Sequence, residues 1–196
     1  MNDKYNMTDF DKEMQKEIKG QPFADSFYFN KLNATNVNRI SYDLNKKSQQ
    51  NGHDVEIVTP KYRKVTIQEK FHPNGTYNDM FVEIVDISGT KDGWALKLNG
   101  VDLVIDFSKE KTHIVNAEKL KKIAEQIKKE WQADGGVFHN KPELTCNGYR
   151  FKKYINWTKR YGKKYWTMCA RIPWDCMDKL GISTKLHHCG LSSPIK

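Results

Sequence analysis

The chain has 196 residues, of which 38% are hydrophobic, 29% charged and 12% aromatic, a composition suited to one compact domain or one domain with an appendage and unlike that of a disordered polyelectrolyte. No window approaches the roughly 18 to 20 consecutive apolar residues that a membrane-spanning helix needs, and Met1 to Lys16 is charged where a secretory signal is apolar, so a cytoplasmic protein is expected. The net charge of +9 lies entirely after residue 140: Lys141 to Lys196 holds twelve basic and three acidic residues, and the preceding 140 hold 21 of each.

Taken in chain order, Thr8 with Asp11 resembles a helix-capping pair, and Phe10, Met14 and Ile18 recur at helical spacing before Gly20 and Pro22. This predicts a helix from about Asp9 to Lys19. A weaker periodicity through Val37, Ile40 and Leu44 suggests a second helix, closed by Gly52. Asp54 to Thr59 and Lys64 to Phe71 are β-branched runs joined by Pro60-Lys61-Tyr62-Arg63, and read as a hairpin. Met80 to Ile87 is a third strand, and Val101 to Phe107 pairs with Thr112 to Val115 around a turn at Ser108 to Lys111. Asn116 caps a helix whose apolar stripe is Leu120, Ile123, Ala124, Ile127 and Trp131, ended by Asp134-Gly135-Gly136. The charge balance shifts at these glycines, which divides the chain into a core, residues 1–134, and a basic extension, residues 135–196. The extension contains a strand from Tyr165 to Ile172, then an amphipathic turn through Met177 and Leu180.

In that extension Arg150, Lys152, Lys153, Lys159, Arg160, Lys163 and Lys164 alternate with Tyr149, Phe151, Tyr154, Trp157, Tyr161, Tyr165 and Trp166. Dense cations bind a polyanion by releasing its counterions, and neighbouring rings stack on unpaired bases, so a nucleic-acid-binding surface is expected. The competing reading is that the aromatics are the buried side of strands and the lysines provide solubility. The four cysteines show no zinc-knuckle spacing and read as reduced thiols; a zinc site from Cys169, Cys176, Cys189 and His187 or His188 is the alternative.

The apolar alternation sets the hairpin register. Val55, Ile57, Val65 and Ile67 must share a face, which pairs Val55 with Ile67 and Ile57 with Val65 and puts Asp54 across from Gln68, with Lys70 one step further along the same face. A one-residue slip would mix the apolar set with Glu56 and Thr66. The chosen register gathers a carboxylate, a carboxamide and an ammonium on one patch.

Gly52-His53-Asp54, thirteen residues and then Gln68-Glu69-Lys70 resembles the PD-(D/E)XK nuclease superfamily, in which an acid on one strand and an acid-x-lysine on its partner form a metal-dependent phosphodiesterase site. Asn78 to Glu83, Gly93-Trp94, Val101 to Phe107 and Asn116 to Leu120 are similar to phage and bacterial members, and the likeness covers about Asp9 to Trp131. The resemblance implies an α/β, restriction-endonuclease-like mixed sheet of about four or five strands flanked by helices, with the small basic extension appended. It implies Mg²⁺ or Mn²⁺ as cofactor, Asp54 as principal metal ligand and Lys70 as the group that positions water and offsets charge on the phosphate. Gln68 departs from the pattern, since an amide brings a dipole where an acid brings a charge. Gln68 through its oxygen, Glu69 swinging in, or Glu83 from the next strand would supply the missing ligand; Glu17 is weaker and Glu13 weaker still. His53 and His72 flank the hairpin within reach of substrate. The expected function is metal-dependent hydrolysis of nucleic acid, DNA before RNA, by a monomer or homodimer. The alternative is a nuclease fold without catalysis that only binds.

Overall fold

The computed structural model describes residues 8–40, 51–62, 64–72, 78–86, 89–108, 111–133, 135, 143–146, 148–160 and 163–187; side chains at 8–16, 143–146, 149–151, 157–160, 163–164 and 186–187 are not among them. Two sheets organise the described residues. Strand β1 (Thr8–Asp9) leads into α1 (Phe10–Lys31), followed by β2 (Asn36–Arg39), β3 (Val55–Val58), β4 (Val65–His72) and β5 (Asp79–Asp86). After a short 3₁₀ turn at Trp94–Leu96 come β6 (Leu103–Ser108), β7 (Lys111–Asn116) and α2 (Ala117–Ala133). The chain continues through β8 (Glu143–Cys146), β9 (Tyr149–Arg160), β10 (Lys163–Pro173), α3 (Trp174–Lys179) and β11 (Ser183–His187). The six-stranded sheet runs β11-β7-β6-β4-β3-β2 and is mixed, with β4 and β6 parallel; the five-stranded sheet runs β1-β9-β10-β5, with β8 on β9. The architecture is α/β, with more strands than expected, and no described helix is long and apolar enough to cross a membrane.

Helix α1 does not stop at Gly20 and Pro22 but continues to Lys31. Pro22 removes one backbone hydrogen bond, and the residues beyond it offset that loss: Phe23 and Phe27 meet Phe107 edge-on at 5.8 and 5.4 Å, and Ala24 and Tyr28 are fully buried. Burial of an aromatic side chain is worth about 1.5–3 kcal/mol, so two or three exceed the cost of the proline. Gly20 is needed where the helix crosses β4, since a Cβ there would lie 2.4 Å from Cδ1 of Phe71. The helix expected around Val37 is instead the strand β2, paired antiparallel with β3; residues 41–50 lie outside the described set. The hairpin register is as the apolar alternation predicts, Val55 opposite Ile67 and Ile57 opposite Val65. Asn116 accepts a hydrogen bond from the Lys119 N–H through its side chain at 2.9 Å, and the stripe of α2 is buried.

One hydrophobic cluster packs α1 against a face of the six-stranded sheet. The other joins the opposite face (Val104, Val115) to Met80, Val82, Ile84, Met168, Ala170 and Ile172 of the five-stranded sheet, with α2 and α3 contributing Leu120, Ile127 and Met177. The segment read as an appended extension supplies strands to both sheets, since β10 pairs with β5 and β11 with β7. Strands β9 and β11 were not legible as such, and β5 belongs to a different sheet from the hairpin that precedes it.

Candidate functional site

The hairpin arms have unequal length. Strand β3 begins at Val55 and pairs with β4 residues 65–67, whereas β4 runs on to His72 alongside β6, so that beyond Ile67 one edge of β4 has no strand neighbour among the described residues. Asp54 sits where the ladder breaks. Its N–H donates to the Ile67 carbonyl at 3.0 Å, and its carboxylate Oδ2 accepts the next donor on β4, the Glu69 N–H, at 2.9 Å. The carboxylate thus lies along the open edge, where groups from both faces of the sheet reach it.

The successive residues of β4 project to opposite faces. On the α1 side, Glu69 accepts from the Tyr28 hydroxyl at 2.6 Å and pairs with Arg39 at 2.7 Å, and Arg39 also binds Asp25 at 2.6 Å. Burial, then the adjacent Glu69 charge, push the Tyr28 hydroxyl well above its ordinary value, which keeps it a donor. Glu69 is therefore held in a buried network tying α1 and β2 to β4, and does not swing toward Asp54. On the other side, Lys70 places its Nζ 4.6 Å from the centre of the Trp94 ring, a cation–π contact. Gln68 is buried, and its Oε1 has no hydrogen-bond partner among the described residues. Gly52, at φ +79°, backs onto this oxygen, and a Cβ there would lie 2.8 Å from it.

A cleft of about 250 Å³ opens beside Asp54 on the α1 side, lined by Glu17, Gln21, Arg39, Ile40, Glu69 and Phe71. Burial, opposed by the Lys70 charge and the Glu69 N–H and reinforced by the Glu69 and Glu17 charges, pushes the Asp54 carboxyl up to about 7. Near neutral pH its charge therefore depends on what cation is nearby, and among side chains Lys70 favours the ionised form most.

The register thus sets Asp54 across from Gln68, with Lys70 two residues further along β4; the cleft itself is lined by Asp54 with Glu17 and Glu69, and Gln68 and Lys70 project to the other side of the sheet. The structure places Glu83 elsewhere. That residue lies on β5 of the other sheet, opposite Cys169 in register, where its charge adds to the burial that raises the Cys169 thiol; a role as third ligand finds no support in this placement. His53 is tied to the Asn99 carbonyl at 2.7 Å and His72 to Asp106 at 3.1 Å, both of which fix loop or strand ends. Glu13, Arg150, Lys159, Arg160, Lys163 and Lys164 have side chains outside the described set; Lys152 is exposed and Lys153 half-buried on β9. Cys169 and Cys176 are buried free thiols, the second inside the core between the sheets and the first on the opposite face of β10, so these two do not converge. Cys189 and His188 lie outside the described residues.

For a divalent ion, the candidate donors are the Asp54 carboxylate, with Glu17 on the same cleft, and the Gln68 oxygen, which lies outside the cleft lining; among the described residues no three His, Cys, Asp or Glu side chains form a metal-holding group. Mg²⁺ keeps several of its own waters and is commonly held by one or two carboxylates, of which the cleft offers Asp54 and Glu17. The sequence did not disclose the Tyr28–Arg39–Asp25 support of Glu69, because nothing local marks those three residues as neighbours of β4. Comparison with known protein families, curated proteins and solved structures finds no match to this chain.

Proposed function

We propose that the protein hydrolyses phosphodiester bonds of nucleic acid with the help of a divalent cation, using Asp54, Gln68 and Lys70. The observation that carries the reading is the buried oxygen of Gln68, unpartnered among the described residues, at the same end of the hairpin as a carboxylate whose strongest cationic neighbour is Lys70. An unsatisfied buried acceptor costs about 1–3 kcal/mol, a cost that a bound cation would remove. Asp54 and Gln68 would hold the ion, which when bound supplies a polarised phosphate and a water of lowered pKa. Lys70, held over Trp94, offsets the charge that accumulates on the phosphate oxygens and orients the attacking water. The Glu69–Arg39–Tyr28 network fixes β4 so that Gln68 and Lys70 keep their positions.

The test is cleavage of plasmid, single-stranded and branched DNA with Mg²⁺ or Mn²⁺ by the wild type, Asp54→Ala and Lys70→Ala. Loss of about 100-fold or more in both variants is expected, and undiminished cutting by both removes the assignment. The commitment of Glu69 to Arg39, and the lack of a three-ligand group among the described residues, favour a second reading, a fold that binds nucleic acid without cutting it. Calorimetry separates the two: heat of Mg²⁺ or Mn²⁺ binding lost in Asp54→Ala supports the enzyme, and no heat above background supports the binding module.

A further inference from the structure

The two longest strands of the molecule, β9 and β10, carry the excess charge. From Tyr149 to Pro173 there are eight Lys or Arg residues and no Asp or Glu. Their register determines what faces outward. Met168, Ala170 and Ile172 point into the core shared by the sheets, so Arg171, Cys169 and Thr167, together with Tyr154, which pairs with Cys169, occupy the opposite face. On that face the Arg171 guanidinium lies between two rings, 5.8 Å from the centre of Phe81 and 5.1 Å from that of Tyr154, and is anchored by Asp79 at 3.1 Å. Tyr154 is 36% and Tyr165 45% exposed, although the usual place of a tyrosine on a sheet is half-buried. Tyr165 pairs with Thr158, which puts it on the same face as Tyr154 about four residues, or roughly 13 Å, along the hairpin.

We infer that this outer face of the five-stranded sheet is a platform for an unpaired nucleic-acid strand, with the bases stacking on Tyr154 and Tyr165 and the backbone running along Lys152 and Arg171, the described cations of that face. A duplex hides the base faces and offers only its phosphates; the exposed rings of Tyr154 and Tyr165, on the face of Lys152 and Arg171, favour the unpaired form. The Phe81–Arg171–Tyr154 ladder holds one ring in place before binding, which lowers the entropy lost on association. The platform also connects to the hairpin site. Asp9 of β1 pairs with Lys159 of β9, and α1, which starts at the next residue, reaches the cleft lining at Glu17 and Gln21 about 10 to 17 Å further on. The inference rests on the reading of the protein as one that acts on nucleic acid, and names the form of the substrate as single-stranded.

The test is fluorescence anisotropy with the full chain in EDTA, where no metal-dependent cutting occurs, using labelled single-stranded oligo(dT) and a duplex of the same length. The single strand should bind at least 10-fold more tightly. Tyr165→Ala and Tyr154→Ala should each weaken it by about 5- to 150-fold with the salt dependence unchanged, because a ring and no charge is lost, and Tyr165→Phe should restore it. Equal affinity for duplex, or Tyr→Ala variants that bind the single strand like the wild type while keeping its melting temperature, overturns the platform. Alanine variants that dissociate a dimer in sedimentation without loss of oligonucleotide affinity overturn it in favour of a second copy of the chain. Binding as expected with no cutting in any metal would leave the platform standing and sink the hydrolase.

Discussion

Replacing Asp54 by Asn keeps the side-chain shape and an acceptor for the Glu69 N–H, while removing the ability to ionise. In the folded protein burial raises the Asp54 carboxyl from its ordinary 3.8 to about 7, against the pull of Lys70. Between those values the folded state holds a proton that the unfolded state has released, so this group makes stability fall as pH rises through the window. Displacing the carboxyl from 3.8 to about 7 removes about 4 kcal/mol of stability once the pH exceeds 7, and nothing below 3.8. His113 works in the opposite sense over much of the same range. Burial lowers its imidazole to about 4, so it removes stability as the pH falls below its ordinary 6.5. The wild-type curve is therefore flattened, and the informative quantity is the difference between Asp54→Asn and wild type, in which His113 cancels. Urea unfolding followed by tryptophan fluorescence in EDTA should show that difference moving in favour of the variant by about 4 kcal/mol between pH 4 and pH 8, about 10 °C in melting temperature at the upper end. Added Mg²⁺ should stabilise the wild type at pH 8 and leave the variant unmoved. A difference that is constant across pH would refute the claim that Asp54 pays for its position in desolvation.

Gly20→Ala should destabilise by about 1–3 kcal/mol in thermal melts although alanine is the better helix former, because the added Cβ meets the Phe71 ring, itself stacked on Phe107 at 5.2 Å; trimming the ring with Phe71→Leu should recover part of the loss. Tyr28→Phe should cost about 1–3 kcal/mol in urea unfolding, since the buried Glu69 charge loses a donor at 2.6 Å. Arg39→Met should cost more, about 3–5 kcal/mol, because it leaves the buried Glu69 without its ion-pair partner; a loss below 1 kcal/mol would show that the pair does not hold β4 in place. His113→Phe keeps a ring against Trp174, which His113 stacks on at 3.7 Å, and should gain stability relative to wild type as the pH is lowered from 6.5 to 4.

What could be read from the sequence is what the chain decides locally. The hairpin register followed from four β-branched residues in strict alternation, and α2 from a stripe at helical spacing behind an asparagine cap. The same alternation located Asp54, Gln68 and Lys70 together. Helix α1 escaped detection beyond Gly20 because the two strongest local stop signals are overruled by Phe23, Phe27 and Tyr28, whose contacts lie on strands 40 to 80 residues away. Strand β2 has a single half-buried aliphatic, Val37, and borrows its conformation from β3. In β9 the cations conceal the strand period, and in β5 a run buried on alternate positions says nothing about which sheet it joins. The site reading was incomplete for a related reason. Glu69 reads as a spare carboxylate only until Arg39 and Tyr28, 30 and 41 residues earlier, are seen to occupy it.

The pairing of β5 with β10 has a consequence for synthesis. When Asp86 leaves the ribosome, the strand that will pair with it is still about 80 codons from completion, so β5 waits for its sheet neighbour even after Val104, Val115, Leu120 and Ile127 are made to pack on Met80, Val82 and Ile84. A chain that stops before β10 keeps an unpaired edge on β5, the kind of edge along which another chain can add a strand.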